Sequence, residues 1–480
     1  MGQDIAEGHF RAHDFATFAR RLRDETAHLH ALVERGALSR RPPMAGLELE
    51  AWLIDSQCRP APCNDEFLQR LGSPDVVTEL AKFNIEMNVA PQPLAGSGLA
   101  RLAADLQRTW QQCQQVAGEM GLRVAAIGSL PTLVDADLAL VNMSDRTRYQ
   151  AINEQVLRSR GGRPIRLDIE AADGHHLVRS HADVMLEAGA TSLQAHLQVA
   201  PEAAARAYNA SLIASAATVA ISANAPFLFG QPLWEESRIA LFEQAIDVGA
   251  RPASYRGDLQ RVSFGSGYVG FSMLECFAEN VDLFDPLLPI ELDEPADRLP
   301  HLRLHNGTIW RWNRPLVGFD DDGTPHLRIE HRPMSAGPSI TDMIANIAFY
   351  YGLTRHLADA DDPPELHLPF TAARDNFYQA ARLGLAADVQ WLAGQQTGLR
   401  QLILDSLIDA ARAGLASLQV DPALADRWLR TIEARVETGR TGAHWQRAFV
   451  ARHGADMARL TREYTARQAD GAPVHEWTAG

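Results

Sequence analysis

The stretch ATSLQAHLQVA, residues 190–200, decides the fold class that this sequence predicts. Apolar and polar residues alternate along it, which indicates a β-strand with one face on a core. The opposite face carries Ser192, Gln194, His196 and Gln198, which all form hydrogen bonds or bind ligands. A solvent-facing strand would carry Lys, Glu or Arg there instead. The stretch therefore predicts the floor of a pocket.

Other segments show the same alternation, with acids, histidine and arginine on the polar side. They are residues 47–52, 83–88, 302–305, 309–314 and 327–332. An antiparallel sheet with one face on a core and the other in contact with polar groups produces this pattern. We therefore expect a sheet whose open face binds metal ions and anions.

The order of elements predicts an α+β protein. Helices are expected over 13–35, 99–118, 202–223 and 339–351, the last ended by Gly352, and a strand over 122–127. Because strands and helices alternate without a strict βαβ rhythm, a doubly wound sheet is disfavoured. Residues 371–467 are expected to be all-helical, with Asp421-Pro422 as a helix start. We divide the chain into an N-terminal helix (1–40), an α+β domain (41–358) and a C-terminal helical region (359–480).

Composition restricts the classes of function. A net charge of −15 disfavours non-specific binding to nucleic acid or membranes. The acidic start has no apolar run, so no signal peptide is expected, and polar residues interrupt the most apolar window, 211–229. Four cysteines without a CxxC pair fit a reducing cytoplasm. The sequence does not fix the oligomeric state, and a homodimer is the working hypothesis.

Lys82 is the only lysine among 45 basic residues. A Walker A loop, the protein-kinase fold and pyridoxal-phosphate chemistry each need a specific lysine, and Lys82 fits none of these patterns. If the protein binds phosphates, arginines and carboxylate-held Mg²⁺ must do so.

Acidic residues on the polar strand faces suggest a metal site. Several carboxylates on one face repel one another unless cations neutralise them, and hard oxygen ligands select Mg²⁺ or Mn²⁺. His196 would be a further ligand or a phosphate contact. Glu79 and Glu86 are seven residues apart, so in one unbroken strand they would lie on opposite faces, and a bend or bulge is needed. The alternative is that each acid is a strand residue paired with an arginine. The acids concerned are Glu48, Glu50, Glu79, Glu86 and Glu330.

Arginines share these faces. Arg328 and Arg332 flank Glu330, and each either faces a phosphoryl or carboxylate group or forms a cross-strand salt bridge. Arg311 and Arg314 lie in the Trp- and Arg-rich stretch 306–315 and are candidates to bind a substrate carboxylate. Its tryptophans are better explained as core or stacking residues.

Residues 264–270 contain a literal GxGxxG pattern after a short strand and before a helix-like segment. This pattern raises the alternative of an NAD(P)-dependent oxidoreductase, with Gly267 in the dinucleotide loop. The sequence predicts no βαβ unit around this pattern and no acid that ends a second strand near position 290. That alternative is therefore disfavoured.

Four motifs, taken in their order along the chain, resemble those of the glutamate–cysteine ligase family. Within that family they are most similar to the bacterial carboxylate–amine ligase type. They are residues 46–50, 79–88, 191–196 and 328–332, with support from 126–132 and 306–315. The resemblance spans about residues 46–355 and leaves the helical tail unexplained. It implies a glutamine synthetase/guanido kinase-like fold, in which a curved antiparallel sheet is backed by helices and the active site lies on its concave face.

The resemblance also implies a chemistry. ATP would phosphorylate a carboxylate, namely the γ-carboxylate of glutamate, and an amine would then attack the acyl phosphate. Arg332, Glu330 and Glu50 would be catalytic, with Arg332 neutralising the transferring phosphoryl group, and Gln194, Arg311, Arg314 and Arg328 would bind substrate or ATP. The Mg²⁺ ligands would be Glu48, Glu50, Glu79, Glu86, His196 and Glu330. Gln194 departs from other branches and no cysteine pocket is recognisable, which leaves the amine open. A non-catalytic relative that binds nucleotide or amino acid as a sensor or scaffold remains the alternative.

Overall fold

A seven-stranded antiparallel sheet forms the centre of the molecule, which a computed structural model describes over residues 4–5, 8–249 and 259–479. The strands of this sheet and of four two-stranded ribbons are, in chain order, β1 (Met44–Ile54), β2 (Val76–Thr78), β3 (Asn84–Pro93), β4 (Arg123–Ala125), β5 (Ile165–Glu170), β6 (His176–His181), β7 (Leu193–Val199), β8 (Phe227–Leu228), β9 (Gln231–Pro232), β10 (Val262–Ser263), β11 (Trp310–Arg311), β12 (Asn313–Phe319), β13 (Pro325–His331), β14 (Asp388–Gln390) and β15 (Gln396–Gly398). The strand order in the main sheet is β12-β13-β7-β1-β3-β2, and β4 pairs with β1. This curved antiparallel sheet with its helices confirms the predicted α+β class.

Helices flank the sheet and make up most of the C-terminal third. In chain order they are α1 (Ala12–Glu34), α2 (Asn64–Leu71), α3 (Gly98–Glu119), α4 (Thr147–Ser159), α5 (Ala204–Ser222), α6 (Ser237–Ala245), α7 (Leu274–Leu283), α8 (Pro300–Asn306), α9 (Ile340–Asp359), α10 (Phe370–Leu383), α11 (Leu399–Leu402), α12 (Ile408–Ser417), α13 (Pro422–Thr438), α14 (Gly442–His453) and α15 (Met457–Asp470). No helix in the described ranges is long and apolar enough to cross a membrane.

Two buried helices, α5 and α9, back the sheet. Both are apolar on nearly all sides, as expected for helices enclosed in a core. Tyr350 of α9 stacks on His331 of β13 with ring centroids 3.9 Å apart. Tyr351 donates its hydroxyl to the carbonyl oxygens of Gly46 and His196. These contacts fix β1, β7 and β13, the three strands that carry most of the polar residues of the opposite face.

The register of the sheet brings the predicted polar residues side by side. Glu330 lies opposite both His196 and Arg314 on the neighbouring strands, and Glu50 lies opposite Glu86. Because successive side chains of a strand alternate between faces, paired positions share a face. The polar residues therefore gather on one side of the sheet.

Three local predictions were wrong. Residues 302–305 lie in α8, where apolar Leu302 and Leu304 were mistaken for strand alternation. The stretch 309–314 is divided between β11 and β12, which belong to different sheets. Residues 371–467 are not all-helical, because β14 and β15 form a ribbon between α10 and α11.

The expectation that Gly352 ends a helix was also wrong, because α9 continues to Asp359. A Cβ atom at Gly352 would lie 2.2 Å from the carbonyl oxygen of Ala411 in α12. Gly414 of α12 makes the reciprocal approach, since its Cβ would lie 1.8 Å from the Gly352 carbonyl oxygen. The two glycines therefore allow close helix packing.

Candidate active site

A cavity of about 750 Å³ lies over the polar face of the sheet. Its walls come from β1, β7, β12 and β13 and from helices α4 and α8. Carboxylate and guanidinium groups line it from the sheet side, including Glu48, Glu50, Glu330 and Arg332. The predicted pocket floor in β7 contributes Gln194.

The first of two acidic clusters in this region consists of Glu48, His196 and Glu330, from adjacent strands β1, β7 and β13. Each offers a ligand atom within 4.8 Å of the others. His196 Nε2 lies 3.1 Å from Glu48 Oε1 and 3.9 Å from Glu330 Oε1. Neither ring nitrogen of His196 makes a hydrogen bond of good geometry within the described residues. We name this group the histidine cluster.

Two arginines surround Glu330 in the histidine cluster. Arg314 donates from Nε and Nη2 to the two carboxylate oxygens, at 2.7 and 2.8 Å. Arg332 Nη1 lies 3.0 Å from Glu330 Oε2 and donates a second hydrogen bond to Gln194 Oε1. Gln194 in turn donates to Glu50 Oε1 at 2.8 Å. One network thus connects Arg332 to both Glu330 and Glu50.

Charge balance keeps the acids of the histidine cluster ionised. Burial alone would raise the pKa of Glu48, but the adjacent His196 lowers it to about 2. Burial also opposes ionisation of Glu330, and the charges of Arg314 and Arg332 outweigh it and lower its pKa.

The second cluster consists of Glu50, Glu79 and Glu86, whose carboxylate oxygens again lie within 4.8 Å of one another. Glu79 and Glu86 are buried and Glu50 is half-buried. We name it the carboxylate cluster. Glu50 Oε2 accepts a hydrogen bond of 2.7 Å from the Ser192 backbone, and Glu86 Oε1 accepts one of 3.0 Å from Asn88 Nδ2. Glu79 follows β2 and Glu86 lies in β3, so the chain reverses between them. Their odd spacing in the sequence does not put them on opposite faces, because the two acids are not in one strand.

In the carboxylate cluster the like charges make ionisation costly. Burial, followed by the charges of Glu86 and Glu50, raises the pKa of Glu79 well above its usual value. Burial and the charge of Glu48 raise the pKa of Glu86 to about 7. Burial also raises the pKa of Glu50, although Arg332 opposes this shift. A bound divalent cation would remove the repulsion and favour the ionised carboxylates.

The residues fit a hard divalent cation such as Mg²⁺. Five carboxyl groups supply the oxygen ligands that Mg²⁺ prefers, and His196 adds a nitrogen. The fit is most direct at the carboxylate cluster, because Glu79 Oε1 is buried and accepts no hydrogen bond from the described residues.

The structure does not bring every predicted residue to the cavity. Arg314, Arg328 and Arg332 line it. Arg311 lies elsewhere, because its Nη2 donates 2.8 Å to Asn280 Oδ1 and lies 3.4 Å from Glu279 Oε1. Arg311 belongs to β11, which pairs with β10 outside the main sheet, whereas Arg314 belongs to β12 of the main sheet.

Other residues at the cavity carried no recognisable signal in the sequence. Glu187 lies in the 3₁₀ helix Met185–Gly189, and burial with the charge of Glu50 raises its pKa to about 8. Arg148 and Tyr149 reach the cavity from α4. Strand alternation could not reveal residues that helices and turns supply.

The GxGxxG loop is not arranged for a dinucleotide. Its preceding strand β10 has two residues and pairs with β11 in a ribbon separate from the main sheet. The backbone amides of Gly270, Phe271 and Ser272 donate to the Glu275 carboxylate at 2.7 to 3.0 Å. A carboxylate of the chain therefore occupies the position where pyrophosphate would contact the helix start.

A model of the glutamate-cysteine ligase family 2 matches residues 44–466. The chain belongs to this family. Membership confirms the resemblance carried by the strand motifs and extends it beyond residue 355, over most of the C-terminal helices. No curated protein matches the chain.

Two solved structures share the fold of this family member at low sequence identity. The glutamate–cysteine ligase of Francisella tularensis, in complex with AMP, is 10% identical with a TM-score of 0.55, over 92% of this chain and 91% of that one. A bifunctional glutathione synthetase from Pasteurella multocida is 12% identical with a TM-score of 0.51, over 92% of this chain and 54% of that one.

Proposed function

We propose that this protein is an ATP- and Mg²⁺-dependent carboxylate–amine ligase acting on glutamate or a similar amino acid. Membership of the glutamate-cysteine ligase family 2 supports an ATP-dependent ligase. The observation that carries the proposal is the pair of clusters, each with three ligand residues, of which Glu48, Glu50, Glu79 and Glu330 line the cavity. Phosphoryl transfer needs mainly positioning and charge neutralisation, which such a site supplies.

The reaction has two steps. A carboxylate oxygen, the γ-carboxylate of glutamate, attacks the γ-phosphorus of ATP, and the bond to ADP breaks. The nitrogen of an amine then attacks the acyl carbon, phosphate leaves with the electrons of the broken C–O bond, and the amine loses a proton. Each turnover yields one amide, one ADP and one phosphate.

The acids of the two clusters and the arginines around them have different proposed roles. The carboxylate cluster and the histidine cluster would hold Mg²⁺, which supplies charge neutralisation to the phosphates. Arg332 bridges the two clusters through Glu330 and Gln194, and this supports a role for its guanidinium in neutralising the transferring phosphoryl group. Arg314 holds Glu330 ionised, and Arg328 extends the cationic wall of the cavity.

The first test is phosphate release from ATP with Mg²⁺ and L-glutamate, against a panel of amino acids and amines that includes cysteine. Release that depends on one amine establishes the ligase and names the acceptor. Tight nucleotide binding without ADP formation under any amine would favour the alternative of a sensor or scaffold.

Two isosteric variants test the clusters separately. Glu86→Gln in the carboxylate cluster and Glu330→Gln in the histidine cluster should each lower kcat by about 100-fold or more, because each removes a charge that the phosphoryl transfer needs. Glu66→Gln is the matched control, since Glu66 is exposed on α2 and pairs with Arg70 there. Activity near wild type in either cluster variant would contradict the assignment of that cluster.

A further inference from the structure

Arg148, at the start of α4, is a buried arginine whose guanidinium group has no hydrogen-bond or ion-pair partner among the described residues. The residue is 8% exposed and lines the cavity together with Tyr149 and Ile152 of the same helix. Its backbone N–H donates to Asp4 Oδ1 at 3.0 Å, whereas within the described ranges its guanidinium makes no hydrogen bond and no ion pair, and Glu79 and Asp4 attract it only at longer range. Burial lowers the pKa of this guanidinium, but arginine stays charged at neutral pH. An enclosed charge without a partner is costly, which indicates that a ligand anion supplies the partner.

The other arginines of the cavity are held by protein groups. Arg314 and Arg332 bond Glu330, Arg328 contacts His326, and Arg298 and Arg303 lie over the Phe319 ring. Arg148 differs from all of these among the described residues.

The surroundings of Arg148 favour a single carboxylate as its ligand. Apolar side chains of Ile152, Val184 and Ile246 line the same cavity, and the acids whose charges act on Arg148 are Glu79 and Asp4. A triphosphate carries several charges and is better matched by metal ions and by the arginines around Glu330. A planar guanidinium with two free donors matches a carboxylate in a bidentate arrangement.

The proposed reaction places one carboxylate of the substrate at the clusters, where it is phosphorylated. A second carboxylate on the donor or on the acceptor would have to bind elsewhere in the cavity. We propose that Arg148 binds this non-reacting carboxylate of an amino-acid substrate. The assignment rests on the proposed function and makes Arg148 a determinant of substrate class.

The test compares acids with analogues that lack the carboxylate. L-glutamate is paired with its α-amide, and L-cysteine with cysteamine, and binding to the wild type and to Arg148→Met is measured by calorimetry with Mg²⁺ and a non-hydrolysable ATP analogue. Arg148→Met should weaken the binding of one acid by about 10- to 100-fold and leave the binding of its analogue unchanged, because the variant removes a charge-assisted bidentate contact. An effect on the first pair assigns the carboxylate to the donor, and an effect on the second assigns it to the acceptor.

Two variants control this experiment. Arg158→Met removes an exposed arginine from the same helix and should bind all four compounds as the wild type does. Arg148→Lys keeps the charge without the planar fork and should give an intermediate loss, and it preserves the test if the methionine variant does not fold.

The inference would be overturned if the ratio of the affinities for acid and analogue were the same in the wild type and in Arg148→Met or Arg148→Lys. It would also be overturned if the wild type bound neither acid. Turnover of ATP by the wild type is measured in parallel. Turnover with unchanged discrimination in the variants rejects the role of Arg148 alone, whereas binding without turnover rejects the ligase.

Discussion

Two clusters built from similar residues have opposite electrostatic characters. Arginines and His196 stabilise the ionised acids of the histidine cluster, so the pKa of Glu48 is lowered to about 2. In the carboxylate cluster, burial and neighbouring acids raise the pKa of Glu86 to about 7. The histidine cluster is therefore balanced within the protein, whereas the carboxylate cluster gains most from an added cation.

This contrast predicts how the stability of the metal-free protein depends on pH. Between the unfolded pKa of Glu86, near 4.5, and its folded value of about 7, the folded state holds the proton and the unfolded state has lost it. Stability then falls as pH rises through this window, and Glu187 extends the window to about 8. One pKa unit corresponds to ~1.4 kcal/mol, so the combined effect is on the order of a few kcal/mol.

Thermal unfolding at pH 5.5 and pH 8, with EDTA or with Mg²⁺, measures this dependence. Mg²⁺ should raise Tm more at pH 8 than at pH 5.5, because it binds the ionised acids. Glu86→Gln should raise the Tm of the metal-free protein at pH 8 and reduce the gain from Mg²⁺. A gain from Mg²⁺ that is equal at both pH values would contradict the account of the carboxylate cluster.

At the scale of single residues, strand alternation was enough to identify Glu48, Glu50, Glu86, His196, Glu330 and Arg332 as candidates. Their division into two clusters was not predictable, because it depends on the register between strands distant in sequence. Arg148 and Glu187 were missed because their elements show no alternation. Arg311 was grouped with Arg314 by proximity in sequence, although a strand break separates them.

At the scale of elements, Gly352 shows how a sequence signal can have two meanings. Glycine often ends a helix, but within α9 it permits contact with Gly414 and Ala411 of α12. A sequence alone does not distinguish these roles, since the deciding atoms belong to another helix.

This contact predicts that Gly352→Ala destabilises the protein, because the new Cβ would overlap the Ala411 carbonyl oxygen and separate the helices. A loss of about 1–3 kcal/mol is expected from such overpacking. Gly118→Ala is the matched control in α3, where a Cβ would meet nothing within 4 Å. That variant should be neutral or more stable by up to about 1 kcal/mol, as helix propensity favours alanine.

Denaturant unfolding of Gly352→Ala and Gly118→Ala measures the two changes in the free energy of unfolding. Equal effects of the two substitutions would show that helix propensity, and not the contact between α9 and α12, determines the result at Gly352.

At the scale of the whole molecule, the C-terminal helices contact the loop that supports the candidate active site. Tyr464 and Gln468 of α15 both donate hydrogen bonds to the Ala126 carbonyl oxygen. Ile127, which follows Ala126, accepts a hydrogen bond from the Thr191 hydroxyl. Ser192, which follows Thr191, donates its backbone N–H to Glu50. A path of direct contacts therefore runs from α15 to the carboxylate cluster.

These contacts give the helical tail a structural role that the sequence did not reveal. Arg435 of α13 is buried against α9, where it bonds Asp342 at 2.7 Å. The Val474 backbone also donates to Asp342, at 3.0 and 3.2 Å to its two carboxylate oxygens. The domain boundary near residue 359 stays a prediction, and the packing of α9, α12 and α13 crosses it.

The central claim is that a carboxylate of the substrate is activated by phosphorylation. The most direct measurement uses L-glutamate labelled with ¹⁸O in its γ-carboxylate, with ATP, Mg²⁺ and the amine that supports turnover, followed by mass analysis of the released phosphate. The account predicts one ¹⁸O atom in each phosphate, because the carboxylate oxygen that attacks the γ-phosphorus leaves with it. Phosphate without label, released together with the amide, would contradict the account.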